Sequence, residues 1–132
     1  MKKFLVACVL FFGFINADEY EFVGKHYVAS YKHCNPVALK DINRLKEKMV
    51  EACFASGATV LETSDFIFEP DGMTMVLLLS ESHASIHTYP EHDACFIDLF
   101  TCGTTCSAEK FSAVLKEYLS PTEINEDTFH RD

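Results

Sequence analysis

The stretch from Thr59 to Ser80 constrains the fold more than any other part of this chain. Thr59 to Phe68 is dense in β-branched and aromatic residues, Glu69-Pro70-Asp71-Gly72 follows, and Met73 to Ser80 is an almost unbroken apolar run. Pro70 presets φ and Gly72 accepts a positive φ, so the four residues predict a turn. Two strand-like runs joined by such a turn predict a hairpin, and the apolar run reads as a central strand. A central strand needs neighbours on both edges. Candidates are present: Gly24 to Tyr31 alternates weakly, Ser82 to Tyr89 alternates small and polar residues up to Pro90, and Ala94 to Cys102 alternates again.

Helical patterns interrupt the strands at two places. Asn35-Pro36 is a helix start, with Asn as N-cap and Pro at the first helical position. Leu39, Ile42, Leu45, Met49 and Cys53 then recur at three and four, and Gly57 is a natural stop, which predicts one helix over residues 36–56. Ser107 is placed to cap a second helix carrying Phe111, Val114, Leu115 and Leu119, stopped by Pro121. The polar tail from Pro121 to Asp132 reads as loosely ordered. The order of elements predicts an α+β fold: a two-layer sandwich, mainly antiparallel sheet, with helices on one face.

Composition narrows the function. The chain has 132 residues, the size of one domain, with 48% hydrophobic residues. Its net charge is −9, and Lys and Arg never cluster beyond two, which argues against nucleic-acid binding. Residues 1–17 pair Lys2 and Lys3 with an apolar run ending near Ala17, the pattern of a signal or anchor segment. That divides the chain into this segment and a single domain over 18–132, and places the protein outside the cytoplasm or on a membrane, the alternative being cytoplasmic. Of the six cysteines, Cys8 lies in the leader-like segment, and the remaining odd number is no disulfide framework. Cys53 and Cys95 fall at core-like positions. Cys102 and Cys106 are compatible with a disulfide, a metal pair, or one reactive thiol beside a bystander.

The reactive residue types converge between Leu77 and Gly103, in LLLSESHASIHTYPEHDACFIDLFTCG. A serine held in a strained backbone can attack the preceding carbonyl and turn an amide into an ester. A histidine can carry the protons for such a step near neutral pH. Removal of the serine α-proton then expels the ester, and hydrolysis of the product leaves a ketone. A ketone of this kind forms a Schiff base with a substrate amine and withdraws electrons from it, the task otherwise given to pyridoxal phosphate. A nearby thiol is a suitable acid to return a proton.

The segment SESH, IHTYPE and FTCG closely resembles the prokaryotic S-adenosylmethionine decarboxylase proenzymes, and the resemblance runs from about Gly24 to Leu119. It implies self-cleavage between Glu81 and Ser82, giving a β chain ending at Glu81 and an α chain of residues 82–132 that begins with a pyruvoyl group made from Ser82. It implies His87 for proton transfer during processing, Cys102 as proton donor to substrate, and Thr74 as a processing hydroxyl. It implies Phe68 stacked on adenine and Glu91 on the ribose hydroxyls, with S-adenosylmethionine as substrate, spermidine and polyamine biosynthesis as the destination, and a homodimer of αβ protomers. Tyr89 and Asp93-Ala94-Cys95-Phe96 depart from the family pattern.

Two other functions stay open at this point. One keeps the pyruvoyl chemistry and changes the substrate to ornithine or arginine. The other is an exported, non-catalytic metal- or ligand-binding module, with His83 and His87 on one strand face joined by Cys102 or Glu91 around zinc; the absence of HExxH and CxxC patterns favours no metal. Ser82 and His87 are five residues apart, so on a regular strand they face opposite ways.

Overall fold

The computed structural model describes residues 22–132. Its strands are β1 (Gly24–Lys32), β2 (Val60–Phe68), β3 (Gly72–Leu79), β4 (Ser82–Tyr89), β5 (Ala94–Cys102) and β6 (Glu123–Arg131), and its helices are α1 (Pro36–Lys40), α2 (Ile42–Ser56) and α3 (Ala108–Leu119). Among the described residues the strands form one sheet in the order β2-β3-β4-β5-β1-β6, with every neighbouring pair antiparallel. The leader-like residues 1–17 lie outside the described residues. No described helix is long and apolar enough to cross a membrane.

The helices cover one face of the sheet. Leu45, Met49 and Cys53 of α2 and Phe111, Leu115 and Leu119 of α3 are fully buried against Leu77, Ala84, Ile86 and Ile97. Each large side chain buried this way stabilises the fold by about 1.5–3 kcal/mol. The helix ends follow their local chemistry. Asn35 accepts from the N–H groups of Val37 and Ala38, Ser107 from that of Lys110, and Gly57 closes α2 at φ +93.

Two expectations are corrected. The predicted helix over 36–56 is two helices, broken at Asp41. Asp41 leaves helical geometry at ψ 79, and its carboxylate accepts from the N–H of Arg44, so it ends α1 and caps α2. A short acidic side chain competes with the helix for backbone N–H groups in this way. The tail is ordered. Residues Glu123–Arg131 pair along the whole of β1 as an edge strand, supported by ion pairs Lys32–Glu123 and Lys116–Glu126 and by the Tyr27 hydroxyl donating to Glu126 at 2.6 Å. Its polarity suits an edge, where charge discourages pairing with a further strand. The apolar run is flanked by β2 and β4, as its reading as a central strand expects. Met73, Met75, Leu77 and Leu79 are buried under the helices, but Val76 and Leu78 point to a sheet face that no helix covers and are 43% and 50% exposed. Phe66 of β2 also lies exposed on this open face.

Candidate active site

Ser82 opens β4 directly after the tight turn at Ser80-Glu81. The turn is pinned on both sides: the Ser80 N–H donates to the Thr59 carbonyl, and the Thr59 N–H donates to the Glu81 carboxylate at 2.9 Å. Ser82 has φ +150, a region that residues with a side chain rarely enter. Such a residue carries roughly 1–3 kcal/mol of strain that its surroundings must hold. The carbonyl of Glu81, on the bond between the two residues, accepts from the backbone N–H of Cys102 at 2.8 Å. A donor fixed on a carbonyl would stabilise an oxyanion if a nucleophile added there. Residues as distant as 81 and 102 meet because β4 and β5 pair with Ser82 opposite Thr101.

The strand alternation sends Ala84, Ile86 and Thr88 into the core and leaves His83, Ser85, His87 and Tyr89 on the open face. The first of these touches the serine: His83 Nδ1 lies 3.2 Å from Ser82 Oγ. Behind it, Asp98 of β5 bonds His26 of β1 at 3.0 Å and accepts from the Ser85 hydroxyl. Pattern reading missed His83, Asp98 and His26 as parts of this site. The usable signal was the outward position of Asp98 in the alternation of β5.

A second cluster sits at the other end of β4. Thr74 Oγ1 and His87 Nδ1 are 2.5 Å apart, and the His87 ring packs edge-on against Phe68 and Tyr89. Phe68, His87, Tyr89 and Glu91 line one cleft of about 390 Å³. Phe22, Gly24, Phe100, Cys102 and Arg131 line another, of about 480 Å³, at the serine end of the sheet. The sequence-predicted residues therefore divide. Glu81, Ser82 and Cys102 are together, as are Phe68, Thr74, His87 and Glu91. At 3.3 Å per strand residue, Ser82 and His87 are about 16 Å apart along β4. The same spacing puts His83 and His87 about 13 Å apart, too far to share one zinc ion.

The five cysteines of the described residues are free thiols. Burial pushes Cys53 up to about 12 and raises Cys106 as well, so these are inert core thiols. Cys102 is only partly buried.

Comparison with known proteins decides the family. The profile described as S-adenosylmethionine decarboxylase matches residues 25–132. The chain belongs to the S-adenosylmethionine decarboxylase family. It is 40% identical over 107 residues to S-adenosylmethionine decarboxylase proenzyme 2 of Bacillus cereus, covering 81% of this chain and 87% of that one. It is 35% identical over 103 residues to the S-adenosylmethionine decarboxylase proenzyme of Thermosipho melanesiensis, covering 78% and 79%. The crystal structure of the adenosylmethionine decarboxylase from Aquifex aeolicus superposes with a TM-score of 0.75 at 28% identity, over 81% of this chain and 88% of that chain. The sandwich with helices on one face is thus the architecture of this decarboxylase family.

Proposed function

We propose that this decarboxylase proenzyme cuts itself between Glu81 and Ser82, converts Ser82 into a pyruvoyl group, and decarboxylates S-adenosylmethionine for polyamine synthesis. The observation that carries the reading is the Glu81–Ser82 bond itself: a strained serine follows a carbonyl already held by the Cys102 N–H. The surroundings fit a group made in place. It stays covalently attached at the head of β4, beside the partly open Cys102 cleft. When formed, a pyruvoyl group supplies an electron sink for loss of carboxylate. Cys102 is placed to return a proton, Phe68 to stack on adenine, and Glu91 to accept from the ribose hydroxyls. His87, oriented by the Thr74 hydroxyl, is the base for the elimination step.

A single protomer does not bring these halves together, and this supports a homodimer of αβ protomers. A two-fold axis through the open sheet face would set the Ser82–Cys102 end of each protomer against the Phe68–His87–Glu91 end of its partner, making two complete sites. The same arrangement covers Phe66, Val76, Leu78, Phe96 and Phe129, which are exposed on that face. An apolar patch of this extent marks an interaction surface. Residues 1–17 are proposed to direct export or membrane attachment.

The test is direct. Wild-type protein on a denaturing gel is expected to give two fragments, with intact masses ending at Glu81 and starting at residue 82, the latter lacking a free amine. Ser82→Ala is expected to remain one chain. A wild-type chain that stays whole under all conditions refutes the reading.

A further inference from the structure

The first step of self-cleavage needs a base at Ser82, and His87 stands about 16 Å away along the strand. We propose that His83, backed by Asp98 and His26, is the base that starts self-cleavage, acting on Ser82 of its own chain. The inference rests on the self-processing reading above and adds an assignment of its first step.

The geometry forms a chain of neighbouring groups. Ser82 Oγ is 3.2 Å from His83 Nδ1. On the far side of that ring, His83 Nε2 is 3.9 Å from Asp98 Oδ2. The same oxygen is 3.0 Å from His26 Nε2, and the other Asp98 oxygen accepts from Ser85. Asp98 is thereby held on two sides, with its charge facing the distal nitrogen of His83. This favours the tautomer with the proton on Nε2 and leaves Nδ1 free to accept from the serine, the logic of a serine-histidine-carboxylate set. The other groups around the His83 ring are known. Leu78 lies opposite on β3, the His26 and Phe100 rings are at 6.3 and 5.8 Å, and the Arg131 guanidinium caps Phe100 at 4.5 Å. Among the described residues, Asp98 and His26 are titratable groups beside it, and Arg131 stands over the Phe100 ring that packs on it.

The step balances within the chain. The Ser82 Oγ proton passes to His83 Nδ1 as Oγ bonds the Glu81 carbonyl carbon. The oxygen of that carbonyl takes the negative charge against the Cys102 N–H. The C–N bond then breaks, and His83 returns its proton to the departing Ser82 nitrogen. An amide becomes an ester and an amine, with no oxidant or co-reactant. Strain at Ser82 favours this direction, since breaking the peptide bond releases its φ. His83 touches the reacting atom; Asp98 and His26 act as positioning residues. The elimination that follows belongs to His87. Amide-to-ester conversion is then complete within one protomer, and elimination waits for assembly.

The experiment follows loss of the intact chain after cell-free synthesis of the full-length protein. Wild type is expected to split, and His83→Ala to slow the loss about 100-fold or more, the range for a lost general base. Hydroxylamine cleaves esters and spares amides. It is expected to leave stalled His83→Ala whole and to cut stalled His87→Ala. Imidazole is expected to restore part of the His83→Ala rate. Asp98→Asn, which matches Asp in size, is expected to lower the rate, and Asp98→Glu, which keeps the carboxylate, to retain more of it; a packing role predicts the reverse order. His83→Gln carries the same expectation if His83→Ala does not fold by circular dichroism. A wild type that cuts while both His83 variants keep pace, or that yields hydroxylamine-sensitive His83→Ala, overturns the inference alone. A wild type that never cuts overturns the processing reading with it.

Discussion

Sharing of the site between protomers can be tested by mixing two defective chains. A hydroxyl and an imidazole exchange a proton at about 3 Å, whereas Ser82 and His87 of one chain stand about 16 Å apart, a gap no rotamer closes. Suppose Ser82→Ala and His87→Ala chains are co-expressed with different affinity tags. In a mixed dimer, one composite site has both defects and the other has neither. The intact site contains Ser82 of the His87→Ala chain, so that chain is the one processed. With equal expression and random pairing in a symmetric dimer, about half of the His87→Ala chains are expected to mature. Ser82→Ala chains are expected never to mature. Purification on each tag separately, followed by intact-mass measurement in acid, reads both fractions. A mixed dimer that forms while its His87→Ala chain fails to mature would refute the sharing argument.

Three further outcomes are expected. Cys102→Ala should mature yet turn over poorly and inactivate by transamination of its pyruvoyl group, because the proton is delivered to the wrong atom; unchanged decarboxylation would remove Cys102 from the site. Cys53 titrates near 12 in the fold and near 9 when exposed, so its contribution to stability is whole below pH 9 and is lost as pH rises from there to about 12. Denaturant titrations should show stability falling over that window by up to about 1.4 kcal/mol per pH unit, and Cys53→Ala should flatten this limb. A reporter active only after export, fused to residues 1–25, should be active; a wholly cytoplasmic signal would refute targeting.

What the sequence revealed and what it hid divides by range. The 69–72 turn, the Asn35 and Ser107 caps and the Gly57 stop are set by residues a few positions apart, and all could be read in advance. β6 could not. Its polar residues are held by pairing with β1, nearly a hundred positions earlier, and strand chemistry gives no local trace of an edge partner. Asp41 looked helical because one acidic residue does not break a period of 3.6. At the site, the resemblance supplied names and the sheet register supplied proximity. Ser82 and His87 do not meet within one chain because five residues of β4 separate them by about 16 Å. Asp98 and His26 come together from 72 residues apart, so no motif could have joined them.

The position of the Glu81–Ser82 bond in the sheet has a further consequence. It joins β3 to β4, so a cut there leaves β1, β2 and β3 on one fragment and β4, β5 and β6 on the other. In the sheet order, β1 of the first fragment lies between β5 and β6 of the second. The pieces would be interleaved, held together by the β1–β5, β1–β6 and β3–β4 pairings that join one fragment to the other. The cut would change the order of the folding reaction. Before the cut, the β3–β4 connection is a tight turn that holds the two strands at an effective concentration in the millimolar range. After such a cut, refolding would be a second-order encounter of two chains. Cleavage there would be a commitment: a precursor folds at a rate independent of its concentration, whereas the cut protein, once unfolded at low concentration, would recover only as fast as its fragments find each other.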